Sequence, residues 1–219
     1  MNDDAGLREA VVATARAMNA LGINRGKSGN VSARLRTEEF DGFLVTPTGL
    51  PYAATAPADV VAMSLDGSIF GTRAPSSEWR FHRDIYRSRP DVQAVVHTHA
   101  PFATTLACLE RRIPAFHYMI AVAGGIGIRC APYATFGTQA LSDHALAALE
   151  DRRACLLAHH GMIAVGTDLD AALALAVEVE TLAQMYWQAL QVGEPALLGR
   201  EEMETVLAKF STYGQPRDR

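Results

Sequence analysis

Apolar residues recur at helical spacing from Asp4 to Leu21, at Leu7, Ala10, Val11, Met18 and Leu21 with Thr14 filling the middle step, before Gly22 ends the run. The chain therefore opens with an amphipathic helix. The pattern then shortens to β-type segments at Val31–Leu35, Phe43–Thr46 and Val60–Ser64, and Asp66-Gly67 reads as a hairpin turn into Ser68-Ile69-Phe70. Ser76, Ser77 and Glu78 open a helical stretch to about Arg87, which Pro90 stops. An apolar strand, QAVVHTHAP from Gln93 to Pro101, leads into a helix through Leu109 whose first turn accepts the proline. Ile126–Ala131 is strand-like, Thr138–Leu149 helical, and Ala154–His160 a second apolar strand that also ends in histidine. After Gly161 a return strand runs from Met162 to Val165, followed by a long helix from about Leu169 to Val192 and a shorter one from Pro195 to about Phe210. Short strands interspersed with helices predict an α/β fold, a sheet covered by helices.

Composition narrows the class. The 219 residues, with nothing that reads as a linker, predict one domain over 1–219, and 49% hydrophobic against 20% charged residues supplies a sizeable core. A net charge of −4 offers no bulk attraction to nucleic acid or anionic lipid, so any phosphate must be held locally. No nucleic-acid or membrane partner is expected. Cys108, Cys130 and Cys155 sit in apolar surroundings as reduced core residues, and with no leader pattern and no apolar run of spanning length the expected location is the cytoplasm.

His97 and His99 stand two apart at a strand end and so project to the same side, an arrangement suited either to a shared metal or to two independently hydrogen-bonded rings. The AHHG strand end offers a third imidazole. In a regular strand only one of His159 and His160 faces the site; His160, beside Gly161, is the candidate ligand, and His159 is left to support or packing. Glu78, just inside a helix start, is the candidate carboxylate. Three imidazoles suit zinc or another late first-row divalent ion better than Mg²⁺ or Ca²⁺. The loops GKSGNVS from Gly26, TPTG from Thr46 and PSS from Pro75 could give backbone N–H groups and hydroxyls to a phosphate dianion, and none matches a nucleotide fingerprint.

Taken in order, GNVS, TPTGLPY, PSSEWRFHRDIY, HTHAPFATTLA, IPAFHYMIAVAGG, APYATFGT, AHHGMIAVG and KFSTYG resemble the class II aldolase/adducin family over nearly the whole chain. The resemblance implies a three-layer α/β fold with a central, mainly antiparallel sheet between helices. It also implies a homo-oligomer, a cyclic homotetramer with active sites between subunits. It makes His97, His99 and His160 ligands of one Zn²⁺ per subunit, and Glu78 a ligand that doubles as the acid/base group. Asn30, Thr48, Gly49, Ser76 and Ser77 would form the phosphate site. Tyr118 would donate a proton from a neighbouring subunit, and Phe136, Phe210 and Tyr213 would surround the aldehyde end. Phe136 and Phe210 are equally compatible with a place in the core, and Tyr118 with that of a buried aromatic. Lys27 is a departure in this loop, set either to tighten phosphate binding or to face solvent.

The implied reaction is reversible cleavage of a 1-phosphoketose, L-fuculose 1-phosphate first, to dihydroxyacetone phosphate and a small aldehyde, L-lactaldehyde. Breaking a C–C bond beside a ketone leaves an enediolate charge, which the metal would stabilise as a Lewis acid. One rival is an aldolase for another 1-phosphoketose, such as a 5-deoxypentulose 1-phosphate. A second is a sugar-phosphate 4-epimerase, which the resemblance implies needs an additional acidic residue in the segment after the HTH helix; no Asp or Glu occurs between Glu110 and Asp143. A non-enzymatic adducin-like scaffold would have lost the metal ligands, and all four are present.

Overall fold

A computed structural model describes residues 4–210. Its helices are α1 (Ala5–Ala20), α2 (Trp79–Ser88), α3 (Pro101–Cys108), α4 (Gln139–Leu149), α5 (Leu169–Val192) and α6 (Arg200–Phe210). The strands are β1 (Asn30–Arg36), β2 (Asp41–Val45), β3 (Val61–Ser64), β4 (Ile69–Phe70), β5 (Ala94–Thr98), β6 (Ile113–Pro114), β7 (Gly127–Ala131), β8 (Ala154–Leu157) and β9 (Gly161–Gly166). All nine strands join one sheet in the order β4-β3-β2-β1-β5-β9-β8-β7-β6. Only the β7–β8 pair is parallel; the other pairs are antiparallel, as expected.

Strand alternation sorts the core into two layers. Ala94 and Val96 of β5, with Leu156 of β8 and Ala164 of β9, pack under α1, α3 and α5. Val95, Cys155, Ile163 and Val165 point the other way and pack under α2 and α4. Helices thus cover both faces, which is the three-layer α/β arrangement. Capping supports two of them: Thr138 accepts from the Leu141 N–H at 3.3 Å and Asp168 from the Ala171 N–H at 2.7 Å. Glu180, inside α5, accepts from the backbone N–H groups of Phe102 and Ala103, both at 2.8 Å. A carboxylate thereby holds the start of α3, two residues beyond His99.

Three details depart from the sequence reading. Strand β8 stops at Leu157, and the chain turns through His159 at φ +55°, so the choice between His159 and His160 is made by a turn rather than by strand alternation. Helix α2 begins at Trp79, leaving Glu78 at the N-cap rather than inside the first turn. The last helix starts at Arg200; in the irregular segment before it the Leu198 N–H donates to Ala115 O at 2.8 Å. The two-residue β6 and a short 3₁₀ helix, Tyr118–Ala123, carry no periodic signal and were not expected.

Candidate active site

Strands β1, β5 and β9 end together, and their ends carry the chemistry. Asn30 pairs with His97 across β1 and β5, and Thr98 with Met162 across β5 and β9. Two glycines permit this crowding. A Cβ on Gly161 would meet Thr98 O at 2.5 Å and His99 Cδ2 at 3.0 Å. One on Gly29, at φ +69°, would meet His97 O at 2.5 Å.

His97, His99 and His160 offer one nitrogen each, all within 4.8 Å of one another. His97 Nδ1 donates to Met162 O at 2.9 Å, which orients its Nε2 into the cluster, 3.2 Å from His99 Nε2. Glu78 completes the set, with Oε2 3.2 Å from His97 Nε2 and Oε1 3.2 Å from His160 Nε2. Burial, reinforced by His97, pushes His99 down to about 4 and His160 down to about 3, so both rings are neutral at physiological pH. Burial alone would raise the Glu78 carboxyl; His97, His160 and the Asn30 amide outweigh it and hold the group below the usual carboxylate range.

This donor set fits a divalent ion. The carboxylate is acceptor-only, and Glu78 Oε1 is buried yet makes no hydrogen bond, its approach to His160 lying outside hydrogen-bond geometry. A cation among these atoms would satisfy that oxygen and the imidazole lone pairs together. Three imidazoles and one carboxylate are a donor set suited to zinc and its neighbours in the first transition row.

The cluster opens into a cleft of about 310 Å³. One wall carries Thr48, Gly49, Ser76 and Ser77 from two loops joined by the Pro47–Pro75 bridge. Ser76 is buried and its hydroxyl accepts from the Glu78 N–H at 3.2 Å, while Ser77, Thr48 and Gly49 are exposed. The Tyr52 hydroxyl donates to Gly29 O at 2.7 Å and fixes the loop that bears exposed Lys27 at the cleft edge. Asn30 also lines the cleft, but its side chain is engaged with Glu78 and His82, which leaves one amide hydrogen for a phosphate.

Tyr133, Phe136 and His159 also line the cleft. Phe136 is 64% exposed, so it is a rim residue rather than core. His159 stays out of the cluster and lies 3.2 Å from Glu110 with its ring edge-on to Tyr133. Tyr133 and Tyr52 were not singled out in the sequence; an aromatic in a loop has no periodicity to betray its role.

Two expected residues are elsewhere. Tyr118 is 51% exposed, not a buried aromatic, and stacks on Phe210 with centroids 6.4 Å apart, and neither lines the cleft of its own chain. Tyr213 lies outside the described residues.

A helix-covered, mainly antiparallel sheet with three histidines and a glutamate gathered at its strand ends defines a class of metal-assisted lyase. Residues 9–187 match the family described as class II aldolase and adducin N-terminal domain; the chain belongs to this family, and within it to the aldolases. It is 59% identical over 208 residues to a 5-methylthioribulose-1-phosphate/5-deoxyribulose-1-phosphate aldolase of Rhodospirillum rubrum, covering 95% of this chain and 92% of that one. It is 50% identical over 209 residues to an L-fuculose phosphate aldolase of Escherichia coli K12, covering 95% of each. Among solved structures, an L-fuculose 1-phosphate aldolase superposes with a TM-score of 0.89 at 39% identity, over 93% of this chain and 95% of that one.

Proposed function

We propose that the chain cleaves a 5-deoxypentulose 1-phosphate, of the 5-deoxyribulose or 5-methylthioribulose kind, to dihydroxyacetone phosphate and a small aldehyde. The observation that carries a C–C lyase is the convergence of Glu78, His97, His99 and His160 beside a wall of hydroxyls. The choice of ketose rests on the stronger likeness to the R. rubrum aldolase than to the E. coli fuculose enzyme, 59% against 50% identity. It replaces L-fuculose 1-phosphate as the first expectation.

Under this reading His97, His99, His160 and Glu78 would hold one Zn²⁺ per subunit, and the bound ion would supply a Lewis acid for the charge that develops on the ketone oxygen. The hydroxyls of Thr48, Ser76 and Ser77, the Gly49 backbone and the remaining Asn30 N–H hold the phosphate and so fix the reacting carbons. Glu78 returns the proton to the carbon next to the carbonyl during cleavage and removes it during condensation.

Tyr118 is assigned to the proton on the hydroxyl that becomes the aldehyde oxygen, in the site of a neighbouring subunit. Its exposure outside its own cleft supports a role across an interface, within a cyclic homotetramer. Phe210 and Tyr213 belong to the same cross-subunit assignment. The unit is a single domain, placed in the cytoplasm; no helix among the described residues is long and apolar enough to cross a membrane.

The test is release of dihydroxyacetone phosphate by zinc-loaded protein from three substrates. The expected order of kcat/KM is 5-deoxyribulose or 5-methylthioribulose 1-phosphate above L-fuculose 1-phosphate. The reverse order restores the fuculose reading, and equal turnover of the unphosphorylated sugars contradicts the phosphate wall.

A further inference from the structure

Glu78 is held from behind by a line of polar side chains that leads away from the cleft into the sheet. Asn30 Nδ2 donates to Glu78 Oε2 at 2.9 Å, and Asn30 Oδ1 lies 2.5 Å from His82 Nε2. His82 Nδ1 is 2.6 Å from Ser32 Oγ, which is 2.7 Å from the Tyr86 hydroxyl. Asn30 is 2% exposed, Tyr86 1%, and His82 and Ser32 not at all.

The arrangement follows from two periodicities. Asn30 and Ser32, two apart on β1, share a face of the sheet; Glu78, His82 and Tyr86, four apart along α2 and its N-cap, share a stripe of the helix. Five side chains therefore interleave in one seam. Burying four polar groups where apolar ones would pack is costly unless each is satisfied, and here each is.

The directions of these bonds are determined. A carboxylate only accepts, so Asn30 must turn its NH₂ to Glu78 and its carbonyl oxygen to His82. That oxygen requires a proton on His82 Nε2, which leaves Nδ1 of the neutral ring as an acceptor for the Ser32 hydroxyl. Ser32 in turn accepts from Tyr86. Reversing any link sets two acceptors, or two donors, face to face.

We infer that Tyr86, Ser32, His82 and Asn30 form a one-way hydrogen-bonded seam that positions the Glu78 carboxylate, with His82 as the residue that fixes the orientation of the Asn30 amide. This rests on the reading of Glu78 as metal ligand and acid/base group. His82 touches neither metal ligands nor substrate; it is a positioning residue, and its loss frees Asn30 to rotate and Glu78 to leave its place. Partners of this kind are worth about 10–100-fold in metal affinity or activity.

The experiment compares His82→Leu, His82→Gln and Glu78→Ala with the wild type, reading Zn²⁺ affinity by competition with a chromophoric chelator alongside kcat and KM. His82→Leu is expected to bind Zn²⁺ about 10–100-fold more weakly and to lower kcat by a similar factor, with a smaller rise in KM for the sugar phosphate because Asn30 also donates to the phosphate. His82→Gln, whose amide can still donate to Asn30 Oδ1, is expected to restore most of both. A folded His82→Leu with wild-type affinity and kcat overturns the inference, as does a His82→Gln no better than Leu. If Glu78→Ala keeps wild-type Zn²⁺ affinity, the underlying assignment of Glu78 fails first, and the two failures are distinct. Should His82→Leu not fold, imidazole ¹⁵N shifts of the wild type, assigned by the signal lost in His82→Gln, decide the matter. A neutral ring protonated at Nε2 is expected, and protonation at Nδ1 or on both nitrogens overturns the seam.

Discussion

Under the proposed reading one side chain, Glu78, is both ligand and base, and its two oxygens stand in different surroundings. Oε2 accepts from Asn30 and faces His97; Oε1 is buried, close to His160, and makes no hydrogen bond. Replacing it with glutamine keeps the shape but removes a base that works at neutral pH. Glu78→Gln is expected to fold normally and to slow exchange of the dihydroxyacetone phosphate proton with solvent by about 10²–10⁴. NMR of that exchange checks it, and a wild-type rate would reduce Glu78 to a structural role. Residues such as His97, His99 and His160 were legible in the sequence because histidine at the end of an apolar strand is conspicuous and close spacing implies a shared side. His82 was not. Its significance lies in partners some fifty positions away, at Asn30 and Ser32, and only the register of α2 on β1 brings them together.

Helix α2 carries Glu78 at its start, so whatever fixes the helix fixes the acid. Besides the apolar contacts of Phe81 and Ile85, Asp84 ties it to α4: Ser142 and Gln139 both donate to Asp84 Oδ2 at 2.7 Å, and Arg83 to Oδ1 at 2.7 Å. Burial opposes the Asp84 charge, but these three donors outweigh it and hold its carboxyl below its ordinary value. A depressed pKa contributes stability in full above the unfolded value, near 3.9, and that stability is lost as pH falls through the folded value. Asp84→Ala is therefore expected to lower stability by about 1–3 kcal/mol at neutral pH. Denaturant titration should show the difference from wild type shrinking as pH falls through the acid range; an unchanged difference would mean the tie is not ionic. At this scale the sequence was most legible: long periodic helices and apolar strands appear where their spacing puts them. What it did not disclose were elements too short for a period, β6 and the 3₁₀ turn at Tyr118, and the irregular segment before α6, where the Leu198 N–H donates to Ala115 O.

For the whole molecule, the proposal that Tyr118, which lies outside its own cleft, serves a neighbouring subunit makes the proposed active site a property of an assembly. If Tyr118 serves the next subunit, a ring mixing Glu78→Gln chains with Tyr118→Phe chains contains some interfaces where both residues are intact. Two nearly inactive variants, dissociated and refolded together, are expected to recover a measurable fraction of wild-type activity, while the same variants mixed without dissociation remain inactive. Verified hybrids no more active than either parent would remove Tyr118 from the neighbouring site. The central claim, however, is that Glu78, His97, His99 and His160 hold the ion on which cleavage depends. Its most direct test is metal content and dihydroxyacetone phosphate release measured on the same samples as zinc is withdrawn by a chelator and returned. Activity is predicted to vanish with the metal, to rise in proportion to zinc up to one ion per chain, and to fail to return in His97→Ala; full turnover by protein shown to be metal-free would contradict the account.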